Sequence, residues 1–488
     1  MEAAALPPPA ALPRADFADW LSPMLVKELR QGVRTRMFVV IFILLQVAML
    51  LDLSLSLLVA ASHLDASDGT VFFWLMVSVP VLLVVPLSGL NAIGSEVKAN
   101  TLELIFLTRL TAFRIVVGKW FALFVQSLLL VCAVLPYLVL RYFMGGVNIA
   151  GELLLLGTLL VGSALLTALT TGLSAFPTRL VRPLAAVGGI FLFFFGAEFF
   201  FTVVVRGRFG AVLPGWVGIG TTLLWAAILL VLMLDVGAAR IAPPAENHTG
   251  FMRALACAGL ALAAAFVLAS GRPGAVTAGA FVVAVVVCMV AVCEQPRWIP
   301  SLYRPFARRG WVGRMVGRIF YPGWPSGVLF TLLMFGGFAA LFAYYRLFND
   351  EDARVRYVAG LGTLLLPTAL ARTVLRRFNR PVATFFLVQA VSVTVLIFCS
   401  VCDNALGTHS RRVAACLPLC ALFSPWSGYT GTDLLAEILV FAVTGLSALT
   451  VLVACIPAFR SVRAMERASL DLPDLPRPAN EAAHVPLA

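Results

Sequence analysis

The chain has 488 residues, 61% hydrophobic and 12% charged, with 36 Lys and Arg against 24 Asp and Glu and a net charge of +12. Soluble domains are about 45–50% apolar and about 25% charged, so this composition excludes a water-soluble enzyme and a largely disordered chain. A mean hydropathy of +0.97 points to an all-α polytopic membrane protein. The basic excess then belongs to loops facing anionic membrane lipids. It does not indicate nucleic acid, because no charged domain stands outside the apolar runs.

Residues 1–21 are rich in Pro and Ala and read as a disordered tail. They lack a basic segment followed by an apolar core, so they do not form a signal peptide. Ser22-Pro23 is a helix start, a capping hydroxyl followed by proline at the first helical position. Over 24–36, Leu25, Leu29 and Val33 fall on one stripe while Lys27, Arg30 and Arg34 fall elsewhere. That spacing predicts an amphipathic helix lying on the membrane surface.

Apolar runs long enough to span follow at 37–60, 71–93, 120–140, 152–176, 184–205 and 217–238. A second series lies at 253–270, 275–293, 326–345, 355–375, 383–402 and 432–457. The stretch 413–428 is short and broken by Pro418 and Pro425, so it reads as a re-entrant or interfacial piece. Twelve spans with both termini inside put 27 of the 36 Lys and Arg on cytoplasmic segments and 9 outside. A thirteenth span would change the split to 23 against 13, which weakens the positive-inside bias. The expected layout is therefore a six-span core over 22–240, a second set of spans over 241–460 and a cytoplasmic tail over 461–488.

The most informative stretch is 91–120, NAIGSEVKANTLELIFLTRLTAFRIVVGKW. Glu96 and Lys98 mark the membrane surface. Thr101 starts a short helix whose Leu102, Leu104, Ile105 and Leu107 give it an apolar face. Thr108 and Thr111 break it and start the next helix, which Arg114 and Lys119 anchor. Two readings remain open on pattern alone: a short helix held between two spans so that a push on it moves them, and a solvated loop with interfacial leucines.

The amphipathic segment before the first span, with Leu25, Lys27, Glu28, Leu29 and Arg30, precedes this stretch, with Glu96, Lys98, Thr101, Leu102, Glu103, Leu104, Thr108, Arg114 and Lys119, in a fixed order. That order resembles the membrane-spanning permease of type-2 ABC (ATP-binding cassette) transporters over residues 20–240. The resemblance implies that 24–36 is the connecting, or elbow, helix and that 95–119 is the region docking a separate ABC-type ATP-binding subunit. It implies a bacterial inner-membrane transport subunit, an exporter, with no ATPase site of its own. The phosphate-binding pattern G-x-x-x-x-G-K-[ST] is absent, since Gly118-Lys119 is followed by Trp120 and lacks the upstream glycine.

The family core has six spans, so twelve leave the chain either a complete pathway or half of a homodimer or heterodimer with another permease. The loop 294–325 occupies the corresponding place in the second half and holds six arginines. Trp311, Met315 and Ile319 in it predict a surface helix, read either as a degenerate second docking helix or as a lipid-headgroup anchor.

Ionisable residues inside spans are functional candidates because of their cost in hydrocarbon. Asp52 in the first span and Glu198 in the fifth are candidates for a translocation path, or for structural pairs with neighbouring helices. Asp235 and Glu437 lie nearer the ends of their spans. Ala164, Ala168 and Gly172 give the fourth span a small face suited to close packing. Most of the nine cysteines lie in apolar runs, Cys132, Cys257, Cys288 and Cys455 among them, and read as small buried hydrophobes. Cys399 and Cys402 have metal-like spacing, with His409, Cys416 and Cys420 following, but the loop does not suggest the defined ligand set of a zinc site and they read as ordinary membrane cysteines; His63, Asp65 and Asp68 in the first outside loop are a weak metal candidate. No catalytic pattern emerges, and no metal or cofactor is expected. An ion-gradient carrier using Asp52 and Glu198, and a non-transporting membrane scaffold, are the alternatives to an ABC permease.

Overall fold

A computed structural model describes residues 23–62, 67–94, 96, 111–144, 148–176, 215–243, 246–270, 274–297, 299–345, 350–375, 380–401, 412–413, 415–423 and 434–471. Among them every regular element is helical and none is a strand. Ten helices among the described residues are long and apolar enough to cross a membrane, so the chain is an all-α, multi-pass membrane protein. Two of the twelve expected spans are not in this set. The run 184–205 lies outside the described residues. The run 355–375 does form a helix, Glu351–Arg372, but its Glu351, Asp352, Arg354, Arg356 and Arg372 leave it too polar to be counted.

The chain divides into two compact units. The first begins with α1 (Pro23–Val33) and α2 (Arg36–Ser62). They are separate helices because Thr35 caps the second, its Oγ1 accepting from the Phe38 N–H at 3.4 Å. The second span opens as α3 (Ser67–Ser78). Pro80 and Pro86 then deprive the helix of two donors. It widens into a π turn over Val79–Val84, in which the Val85 N–H donates to the Pro80 carbonyl. It closes through α4 (Val85–Ser88) and a tight 3-10 turn, Gly89–Asn91. Thr111 caps α5 (Ala112–Met144), accepting from the Arg114 N–H at 3.4 Å. The unit is completed by α6 (Ile149–Ser174) and by the end of α7 (Gly215–Ile241) from Met233 onward.

Phe38, Leu45 and Met49 of α2 pack with Phe73 and Trp74 of α3, Leu130 and Val134 of α5 and Leu155 and Leu159 of α6. The opposite face of α2 leaves Leu44, Leu51 and Leu58 exposed, as a lipid-facing surface requires. The small face of α6 is a packing surface. A Cβ on Gly172 would stand 2.6 Å from the Met233 carbonyl oxygen, and one on Gly237 2.8 Å from the Gly172 Cα. In the adjacent hydroxyl row, Ser163 and Ser127 share a hydrogen bond of 2.7 Å. The end of α6 also holds the end of the second span, where Ser174 Oγ accepts from the Ile93 N–H at 3.1 Å.

The second unit contains the beginning of α7, α8 (His248–Ser270), α9 (Ala275–Cys293), α10 (Pro300–Ala307), α11 (Gly310–Phe320), α12 (Trp324–Tyr344), α13 (Glu351–Arg372), α14 (Pro381–Val401), α15 (Pro418–Phe423) and α16 (Leu434–Leu470). Its centre is aromatic: Phe281 packs edge-on against Phe335 and Phe338 at 5.8 and 5.1 Å between ring centroids and stacks on Tyr357 at 5.9 Å. The described part of the 413–428 stretch contains the six residues of α15. Pro418, Cys420 and Ala421 are buried, and the Cys420 thiol donates to the Ser392 carbonyl at 2.9 Å. A short helix at this place is tolerated because protein, not lipid, surrounds it. α16 continues past the expected end at 457 to Leu470. At 1.5 Å per residue it is about 55 Å long, against about 30 Å of bilayer hydrocarbon. Its last turns bury Val462 against Leu302, Tyr303 and Tyr321.

Candidate functional site

The two motifs singled out in the sequence meet at one lysine. Lys119, in the second turn of α5, is 6% exposed. Its Nζ lies 3.1 Å from Glu28 Oε1 of α1 and 2.8 Å from Glu96 Oε1 at the end of the second span. Three segments separated in the chain are thereby joined at one end of the unit.

α1 presents this contact because Leu25, Glu28, Leu29 and Gly32 turn toward the unit, while Lys27 and Arg30 are exposed. Of the expected stripe, Leu25 and Leu29 lie on the face turned toward the unit. Val33 is exposed, and Gly32 takes the inward position, where a Cβ would lie 2.5 Å from Gln126 Nε2. The face is thus half polar, an ion-pairing acid set between two leucines.

Arg114 is exposed, one turn before Lys119. Lys98, Thr101, Leu102, Glu103, Leu104 and Thr108 lie outside the described residues. The chain entering this segment is held at Ile93 by Ser174 and at Glu96 by Lys119, which stands on the helix that follows the segment. The Trp120 indole adds a third tie, its N–H donating to the Ala164 carbonyl at 3.0 Å. A cavity of about 300 Å³ opens beside the lysine, lined by Glu28, Phe38, Val84, Asn91, Lys119 and Gln126. The π turn forms part of its wall, a placement common for such turns at functional positions.

Of the two translocation candidates, Glu198 lies outside the described residues. Asp52 is 2% exposed within α2 and sits in the electrostatic reach of Arg141, as does Glu152 in the first turn of α6. The Arg141 guanidinium also stacks over the Phe73 ring, 4.2 Å from its centroid. The sequence places Arg141 in an outside segment between spans. It is instead buried in the last turn of α5, which is 33 residues long. Asp235 is buried near the end of α7, and Glu437 lies in the first turn of α16.

The second unit contains a node that no local pattern announces. Arg253 of α8 is fully buried. One guanidinium nitrogen donates to the Ile319 and Tyr321 carbonyls at 2.5 and 2.9 Å, and the other to Glu294 Oε2 at 3.1 Å. Glu294 in turn accepts from the Gly323 N–H at 3.1 Å and from the Thr249 hydroxyl. Gly323 has φ +128 and ψ 153, a conformation nearly restricted to glycine. Asn247 caps α8, its side-chain oxygen accepting from the Gly250 N–H at 3.0 Å. The node orients α10 and α11, and Arg318 of α11 makes a two-point pair with Glu466 of α16 at 3.2 and 3.1 Å. Between them, burial and the nearby Glu294 and Glu466 push the Tyr303 phenol up to about 12. It therefore stays protonated and donates to the Arg297 carbonyl at 3.3 Å.

Among the described residues no group of three or more His, Cys, Asp or Glu is placed to hold a metal ion. Cys402, His409, His63 and Asp65 lie outside them. Comparison with protein-family models, with curated proteins and with solved structures finds no match to this chain.

Proposed function

We propose that this chain is the membrane-spanning permease subunit of an ABC-type exporter, moving its substrate with ATP hydrolysed by a separate subunit that docks on residues 95–119. The observation that carries the reading is the three-way contact at Lys119. Because α1, the end of the second span and the start of α5 share one ion-pair centre, a force on the intervening segment is delivered to all three. Switching transitions of this kind are rigid-body movements of packed elements, and an ion pair joining the chain before the segment to the helix after it supports such a movement.

The test uses the full chain captured from native membranes. An ATPase co-purifies with it, and Glu96→Lys combined with Glu103→Lys weakens that association about tenfold or more, as opposed charges at an interface do. Retention of both the association and ATP-driven transport in the double variant sinks the docking assignment.

A second reading has its own observation, the buried Asp52 and the half-buried Glu152 around Arg141. An ion-gradient carrier would transport in vesicles without ATP and lose that transport on Asp52→Asn. An ABC permease would show no ATP-independent transport to lose.

A further inference from the structure

α11 is built inside out for a helix in water. Gly313 and Gly317 face the protein, while Trp311, Val312, Met315 and Val316 face away. A Cβ on Gly313 would stand 2.3 Å from the Phe306 carbonyl oxygen, and one on Gly317 2.5 Å from the Tyr321 ring. Opposite them, Trp311 is 77% exposed and Met315 55%, with Val312 and Val316 also exposed. At 3.6 residues per turn these four share a single arc.

Arg309 and Arg314 are exposed at its margins. The helix cannot roll this face inward. Arg318 is fixed to Glu466, and the carbonyls of Ile319 and Tyr321 are held by Arg253. Arg253 belongs to a helix apolar enough to span, and the segment carrying α11 joins the end of one such helix, Cys293, to the start of another, Trp324. The face is therefore displayed where spans leave the hydrocarbon. An indole, a thioether and two valines flanked by guanidinium groups at that level match the acyl boundary and phosphate layer of an anionic leaflet.

We propose that α11 is a lipid-docking helix: Trp311, Val312, Met315 and Val316 enter the acyl boundary of an anionic leaflet while Arg309 and Arg314 engage its lipid phosphates. This assignment does not depend on an ATPase binding elsewhere on the chain.

The experiment compares the full-length protein with its Trp311→Phe variant in nanodiscs of brominated phosphatidylcholine, with and without phosphatidylglycerol. The difference between the two emission signals reports Trp311. It is expected to be quenched by the brominated chains and protected from aqueous acrylamide, more strongly with phosphatidylglycerol present. Each arginine near an anionic surface adds about a fivefold preference, so Arg309→Gln with Arg314→Gln removes most of the phosphatidylglycerol dependence. Quenching by acrylamide with indifference to brominated lipid overturns the proposal. So does protection from both quenchers, which would mean that a protein surface, another copy or a partner, covers the face.

Discussion

Each unit has a buried cation at the end of its spans, but the two cations are used differently. Lys119 holds two carboxylates that are each one-fifth exposed, and both contacts are side chain to side chain. Arg253 is fully buried and its contacts go largely to backbone carbonyls, with Glu294 completing the set. An ammonium is a compact point charge with rotatable donors, whereas a guanidinium is a rigid planar fork. The first arrangement lets either glutamate leave while the other stays. The second fixes the path of the chain from Ile319 to Gly323 and offers no partial release. The difference separates a contact suited to movement from one suited to anchoring.

The sharpest way to break this contrast is Arg253→Met. Removing one partner of a buried pair costs about 3–5 kcal/mol, and the carbonyls of Ile319 and Tyr321 lose their donor as well. The melting temperature in detergent should fall markedly, and Arg253→Lys should recover little of it. Full recovery by lysine would show that the fork geometry is not needed.

Next in size is Gly323→Ala. The φ of +128 and a new Cβ 3.1 Å from the Pro296 Cα should together cost about 1–3 kcal/mol, measured by the same thermal shift. The smallest effects belong to the lysine node. Glu28→Gln and Glu96→Gln taken singly should each cost under about 1 kcal/mol, since Lys119 keeps one carboxylate. The double variant should lose more than the sum, because it strands a buried ammonium. Additivity in that cycle would mean that the two glutamates do not share the lysine.

Much of the fold is legible in the sequence because hydrocarbon imposes one rule, a run of apolar residues long enough to cross. The run 275–293 matches α9 at both ends. Local chemistry was also readable: Thr111 caps α5, and Ala164, Ala168 and Gly172 mark a close helix contact. The polar helix α13 shows the limit. Its leucine-rich middle reads as a span, but its charged ends do not.

The candidate site was legible only in part. Glu28, Glu96 and Lys119 stand out as residues near the membrane surface, yet nothing in their spacing says that they meet, since 91 residues separate Glu28 from Lys119. The arginine node was missed for the same reason. Arg253 and Glu294 each look like an ordinary charge beside a span, and besides each other and Thr249 their partners are backbone atoms, which carry no sequence signal. Periodicity groups Val33 with Leu25 and Leu29 by apolarity, and says nothing of the position that meets Gln126, which is Gly32. A tight approach selects glycine there.

The length of α16 has a mechanical corollary. One uninterrupted rod carries residues from bilayer depth to Glu466, whose carboxylate grips α11. A tilt of that rod is transmitted to α10 and α11 as a displacement. Pro457 lies within the rod and supplies no N–H to the ladder, so flexing is cheapest there. Stiffness at that single peptide sets how faithfully the two ends move together.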